Sequence, residues 1–219
     1  MNIAAYIDHT VLKAETTLKD VEKLCLEAVG AAFKAVCIPP VYVRAAKDFL
    51  ADSGVKTATV IGFPFGYSIL HAKLAEIEQA VKDGADELDV VINITAVKNG
   101  DWAYLDEEVG KCTELIHNHG KVMKLIVESG ILTAEELTNC CTLVARHWVD
   151  FIKTSTGYAA AGASVEAVKT MRQLLPDTEI KASGGIRSFA FAKELIEAGA
   201  TRIGCSSSLQ ILEESRHQN

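Results

Sequence analysis

Glu87-Leu88-Asp89-Val90-Val91-Ile92-Asn93 is the stretch whose reading decides the architecture. In extended backbone, successive side chains point to opposite faces. Glu87, Asp89, Val91 and Asn93 therefore share one face, while Leu88, Val90 and Ile92 share the other. A strand in an open parallel sheet, covered by helices on both sides, is apolar on both faces. This strand is charged on one face, and a closed barrel can hold polar groups inside, near one end. The fold class expected is α/β, a (β/α)8 TIM barrel, with an open doubly wound sheet as the runner-up.

Outward from that strand, one local pattern recurs. A helix ends, Gly-Ala follows, and a β-rich run begins. Lys82-Asp83-Gly84-Ala85 precedes Leu88–Ile92, Glu27-Ala28-Val29-Gly30-Ala31 precedes Ala35–Ile38, and Glu197-Ala198-Gly199-Ala200 precedes Arg202–Gly204. Glycine suits the left-handed residue just past a helix end. Strands are expected to end near Asp8, Cys37, Gly62, Asp89, Lys124, Lys153, Lys181 and Gly204, the spacing of βα units. Leu18, Val21, Leu24, Cys25 and Ala28 make one helical stripe, and Trp102, Leu105, Val109, Cys112 and Ile116 make another. Thr133 with Glu136 reads as a capping box, Asp101 and Ser164 as N-caps, and Pro40 as a first-turn residue. No Pro/Gly/Ser linker divides the chain, so residues 1–219 are expected to form a single barrel domain.

The composition excludes several classes. The net charge is −7 and no Lys/Arg-rich run occurs, so neither nucleic acid nor an anionic membrane is an expected partner. The longest apolar runs, such as residues 55–65, are too short to span a bilayer. Met1-Asn2-Ile3 starts no recognisable leader, which makes the cytoplasm the expected location. Six cysteines (Cys25, Cys37, Cys112, Cys140, Cys141 and Cys205) form no C-x-x-C pair and read as free thiols. Oligomeric state is not legible; a homodimer is carried as an expectation.

Chemistry concentrates where strands end. In such a barrel the active site lies at the C-terminal ends of the strands. Three consecutive strands read as ending in lysine, at Lys124, Lys153 and Lys181, and the strand before them supplies Asp89. A single such lysine is ordinarily a solvated surface group; three at equivalent positions point to a functional cluster. Crowded cations in a dry site favour the neutral amine of each. A neutral amine condenses with a carbonyl, and the protonated imine is an electron sink beside which a C–C bond can break or form. Asp89 is the nearest candidate for proton transfer. The loops Thr154-Ser155-Thr156-Gly157, Ser183-Gly184-Gly185-Ile186-Arg187 and Gly204-Cys205-Ser206-Ser207-Ser208 offer backbone N–H groups, hydroxyls and a helix start suited to a phosphate.

Five motifs carry a resemblance over essentially the whole chain: Asp8-His9-Thr10, Asp86-Glu87-Leu88-Asp89-Val90-Val91, the run from Val122 to Glu128, Phe151-Ile152-Lys153-Thr154-Ser155-Thr156-Gly157, and the run from Lys181 to Arg187. With them the sequence resembles the deoxyribose-phosphate aldolases. The resemblance implies a class I aldolase that needs no metal or cofactor. Such an enzyme reversibly cleaves 2-deoxy-D-ribose 5-phosphate into D-glyceraldehyde 3-phosphate and acetaldehyde. It implies Lys153 as the Schiff-base lysine, Lys181 as the cation that keeps it reactive, and Asp89 as a relay through a water. Lys124 and Asp8 would support these groups. Thr10, Thr156, Gly157, Gly184, Gly185, Arg187, Gly204, Ser206 and Ser207 would hold the substrate and its phosphate. Two departures stand out. Tyr158 follows Ser-Thr-Gly where some members have lysine, and residues 213–219 contain no tyrosine, whereas some members have one in a terminal tail that assists proton transfer.

Other features read more plainly. His9 is as readily structural as substrate-touching, Cys37 reads as a core thiol, and Trp102 and Trp148 read as packing residues. His117 and His119 sit at a helix end and are expected to be solvated. Ser206–Ser208 lack a visible base to activate them. A sugar-phosphate isomerase would want a carboxylate base instead of several lysines. A binding module without catalysis would not need Lys153, Lys181 and Asp89 together.

Overall fold

A computed structural model describes residues 1–217; Gln218 and Asn219, the end of the tyrosine-free stretch, lie outside them. The strands are β1 (Ile7–Thr10), β2 (Ala35–Ile38), β3 (Lys56–Ile61), β4 (Glu87–Val91), β5 (Val122–Ile126), β6 (Phe151–Lys153), β7 (Glu179–Ser183) and β8 (Arg202–Cys205). They pair in parallel in chain order, and β8 closes on β1. Closure removes the doubly wound alternative. The helices are α1 (Leu18–Ala31), α2 (Val43–Leu50), α3 (Leu70–Asp83), α4 (Ile94–Asn99), α5 (Trp102–Asn118), α6 (Ala134–Arg146), α7 (Val165–Leu174), α8 (Phe189–Glu197) and α9 (Ser208–His217).

The helix starts follow the side-chain chemistry read from the sequence. Thr133 and Glu136 form a reciprocal capping box on α6, while Asp101 and Ser164 cap α5 and α7 through Tyr104 N–H and Ala167 N–H. One reading changes. Gly30 lies inside α1, which runs on to Ala31, so the left-handed residue there is Ala32 with φ 53°. Gly84 ends α3 as expected, with φ 103°.

Outward-facing strand residues such as Val36, Leu88, Val90, Leu125, Ile152, Ile180 and Ile203 pack with helix residues such as Val21, Ile77, Leu105, Val168 and Leu195 in one core. Burying each large aliphatic side chain stabilises by about 1.5–3 kcal/mol. The interior of the barrel differs around its circumference. Cys37, Ala58 and Val60 on β2 and β3 form a small apolar patch under Leu12 and Phe63. The remaining strands contribute buried Asp8, Glu87, Asp89, Lys124, Lys153, Lys181 and Arg202.

Register fixes depth. Asp89 stands opposite Lys124, and Lys153 opposite Lys181. Lys153 ends its strand, but Lys124 is followed by Leu125 and Ile126 within β5, and Lys181 by Ala182 and Ser183 within β7. The three lysines are therefore not equivalent strand ends; two lie deeper in the barrel.

Candidate active site

The interior charges form one connected cluster. Asp89 Oδ2 accepts from Lys153 Nζ at 2.7 Å and from Lys181 Nζ at 2.8 Å, and its Oδ1 accepts from Lys124 Nζ at 2.7 Å. Lys181 also bonds Asp8 Oδ2, whose other oxygen accepts from Arg202 at 2.7 Å. Arg202 reaches Glu87 at 3.1 Å, and Glu87 meets Lys124 at 2.6 Å. Four cations thus share three carboxylates. Full ionisation would leave one uncompensated positive charge in a nearly dry interior, which is costly unless one group sheds its proton.

Protonation follows from the contacts. Burial pushes Lys153 down; Asp89 pulls it back up but does not cancel the effect, and Lys181 adds to the lowering. Burial also penalises Lys181 and Lys124, yet carboxylates around each reverse the sign: Asp8 and Asp89 raise Lys181, and Asp89 and Glu87 raise Lys124. The sequence reading that every crowded lysine becomes neutral is corrected here, because paired carboxylates hold two of them charged. Burial alone would raise Asp89, but Lys124, Lys153 and Lys181 hold it well below the usual carboxylate range. Asp8 is likewise drawn down to about 2: burial opposes the shift, and Lys181 and Arg202 drive it.

Above this cluster opens a cavity of about 460 Å³. Lys153, Thr10, Thr156, Gly157, Gly184, Gly185, Arg187, Gly204 and Ser206 all line it, so the structure brings together nearly every residue singled out for substrate. Ser207 is outside the lining, and Asp8, Asp89, Lys124 and Lys181 lie beneath it. Among the described residues no carboxylate lines the cavity, although the chain carries a net charge of −7. Gly157, Gly184 and Gly185 have φ of 89°, 89° and 77°, the left-handed region that turns successive N–H groups toward one side. Gly162 touches the next loop so closely that a Cβ there would fall 2.3 Å from Gly184 O, and Ala163 N–H donates to that oxygen at 3.0 Å. The loops after β6 and β7 are joined backbone to backbone.

Several plain readings are resolved. His9 points away from the cavity into the helix layer, bonding Ser208 Oγ at 2.9 Å and Glu27 Oε2 at 2.8 Å, and is structural. Cys37 lies inside the barrel with Sγ 3.9 Å from Asp89, and burial raises its thiol. His117 Nε2 sits 2.8 Å from Asp150, so it is paired as well as partly exposed. Trp102 packs on the core, but Trp148 is 83% exposed after α6, with φ 54°. The left-handed turn there carries its ring outward, against the packing expectation. Two participants had no assigned role. Arg202 closes the ion cluster, and Glu128, at φ 57°, accepts from Thr156 N–H at 3.2 Å and from its hydroxyl. Among the described residues, no group of three His, Cys, Asp or Glu is arranged to hold a metal ion.

A closed parallel barrel with a buried lysine, pushed by burial toward its neutral amine, at the floor of a cavity walled by glycine loops fits an enzyme of carbonyl chemistry. The chain belongs to the DeoC/LacD family aldolases, whose family model matches residues 2–214. It is 46% identical to a deoxyribose-phosphate aldolase of Thermococcus gammatolerans, over 99% of this chain and 98% of the relative. A deoxyribose-phosphate aldolase of an Exiguobacterium is 43% identical, over 99% and 98% of the two chains. Among solved structures, the tetrameric deoxyribose phosphate aldolase from Aeropyrum pernix superposes with a TM-score of 0.92 at 33% identity, covering 99% of this chain and 92% of that one.

Proposed function

We propose that this chain is a class I aldolase that reversibly cleaves 2-deoxy-D-ribose 5-phosphate into D-glyceraldehyde 3-phosphate and acetaldehyde. One observation carries the reading: of the four interior cations, Lys153 alone both lines the open cavity and is shifted toward its neutral amine. Its Nζ attacks the aldehyde carbon of the open-chain sugar, and loss of water gives a protonated imine. The imine withdraws electrons from the bond between the adjacent methylene and the hydroxyl-bearing carbon. Deprotonation of that hydroxyl breaks the bond and releases the phosphorylated aldehyde. Protonation of the remaining enamine and hydrolysis release acetaldehyde and restore the amine.

Asp89 Oδ2 stands 2.7 Å from Lys153 Nζ, close enough to relay protons through a water to the substrate bound there. The neighbouring Lys124, Lys153 and Lys181 hold its carboxylate ionised, the form that accepts a proton from the water in that relay. Lys181 keeps Lys153 reactive, and Lys124 with Asp8 fixes the cluster. Arg187, Ser206 and the N–H groups of the glycine loops receive the phosphate, with Ser207 supporting them at the start of α9. Borohydride with acetaldehyde should fix a two-carbon adduct on Lys153, read by peptide mass spectrometry. An adduct confined to Lys124 or Lys181, or none, sinks the assignment.

Within the same reading, residues 1–219 act as one catalytic domain in the cytoplasm. No helix among the described residues is long and apolar enough to cross a membrane. The assembly proposed is a homodimer, and light scattering on the purified chain tests it.

A further inference from the structure

Tyr158 reaches from one loop of the barrel mouth to another. It belongs to the loop after β6, yet its hydroxyl donates to Leu12 O at 2.7 Å, in the loop after β1. Its ring meets Phe63 edge-on at 5.4 Å, and its own N–H is held by Thr156 Oγ1 at 3.1 Å. The side chain is thus a bar laid across the barrel mouth. The loop it grips is pinned elsewhere too. Val11 N–H donates to Cys37 O at 3.0 Å, Thr16 Oγ1 donates to Lys13 O at 2.7 Å, and Tyr42 Oη donates to Thr16 O at 3.0 Å.

The residue presented by this braced loop is Lys13. It lines the cavity together with Arg187, and among the described residues neither is ion-paired. Asp20, which feels its charge, is itself engaged by Thr17. Lys13 also borders a second cavity, of about 540 Å³, whose one carboxylate, Glu76, already accepts from Gly62 N–H. Two unpaired cations from separate loops therefore face one carboxylate-free cavity. A compact ammonium on a flexible stem suits a phosphate oxygen.

We propose that Lys13 is a phosphate-binding residue of this chain, and that Tyr158 is the positioning residue that holds the Lys13 loop over the cavity. The inference rests on the phosphate-sugar reading given above, and its test is divided so that the two can fail separately. Inorganic phosphate binding is measured by calorimetry on wild type, Lys13→Met, Lys13→Arg and Tyr158→Phe. Lys13→Met should weaken phosphate by about tenfold or more, the scale of one lost charge-assisted contact. Lys13→Arg should recover most of the loss, and Tyr158→Phe should weaken binding by a smaller factor. With substrates, Lys13→Met should lower the ratio of kcat/KM for deoxyribose 5-phosphate over unphosphorylated deoxyribose by a similar factor, mainly through KM. Undiminished phosphate binding in Lys13→Met, or an equal loss on both sugars, overturns the proposal. If wild type binds phosphate but cleaves neither sugar, the aldolase reading falls and the phosphate measurement still decides on Lys13.

Discussion

Two sets of buried charges flank β4, and they are built differently. Behind its end, in the helix layer, Lys73 of α3 donates to Glu108 of α5 at 2.8 Å and to Val91 O at 2.8 Å. Glu108 also accepts from Asn93 N–H at 2.9 Å and Tyr104 Oη at 3.1 Å. One cation meets one carboxylate, both side chains are almost wholly buried, and neither lines the 460 Å³ cavity. Inside the barrel, four cations share three carboxylates, and one of the cations opens on a cavity. Burial of charge is common to both, so it does not by itself mark function. Imbalance and access do: the matched pair is closed off from the cavity, whereas an odd cation sits at the cavity floor.

The comparison breaks first at Asp89. Asp89→Asn removes the carboxylate shared by three lysines, and turnover should fall by about 10²–10⁴. Melting temperature should fall as well, since three lysines, two of them held charged, lose their common partner. Exchange of acetaldehyde methyl protons with deuterium, measured per folded molecule, separates the two effects. Normal exchange in folded Asp89→Asn protein would rule out the relay and leave only the structural ion.

Lys181→Leu tests the imbalance more finely. Lys181 depresses Lys153, so its removal raises Lys153 back toward the ordinary lysine range. Turnover needs the neutral amine, so the acid limb of the pH–rate profile should move to higher pH, with about tenfold lost at neutrality for each unit moved. An unmoved profile would make Lys181 a bystander.

The matched pair should give the smallest chemical effect. Glu108→Gln strands a buried ammonium and should cost about 3–5 kcal/mol of stability, while Lys73→Met with Glu108→Leu should recover most of it. Denaturant unfolding reads both. In the double variant, kcat per folded molecule should stay within about twofold, a change of under 1 kcal/mol in the barrier. A hundredfold loss would tie the outer pair to catalysis and erase the distinction.

Much of this was legible in one sequence. Alternation in Glu87–Asn93 put Asp89 inside, and the Gly-Ala pattern with capping residues gave the βα units. Depth was not legible. Whether Lys124, Lys153 or Lys181 meets the cavity depends on the stagger between neighbouring strands, and no local period encodes that. Arg202 escaped because its partners Asp8 and Glu87 lie far away in sequence. Lys73 escaped because a lysine on an amphipathic helix ordinarily reads as solvent-facing, and only packing of α3 on α5 buries it. Lys13 sits in a loop that Tyr158, 145 residues further along the chain, contacts at Leu12 O.

The contact between Gly162 and Gly184 carries a consequence for how such a site can change. Because the two backbones touch with no space for a side chain, the loops after β6 and β7 cannot be altered independently. A graft of either loop alone into another barrel would meet a neighbour that no longer fits, and only the transplanted pair would keep its shape. For anyone reshaping the mouth of this barrel, the smallest exchangeable part is two loops wide.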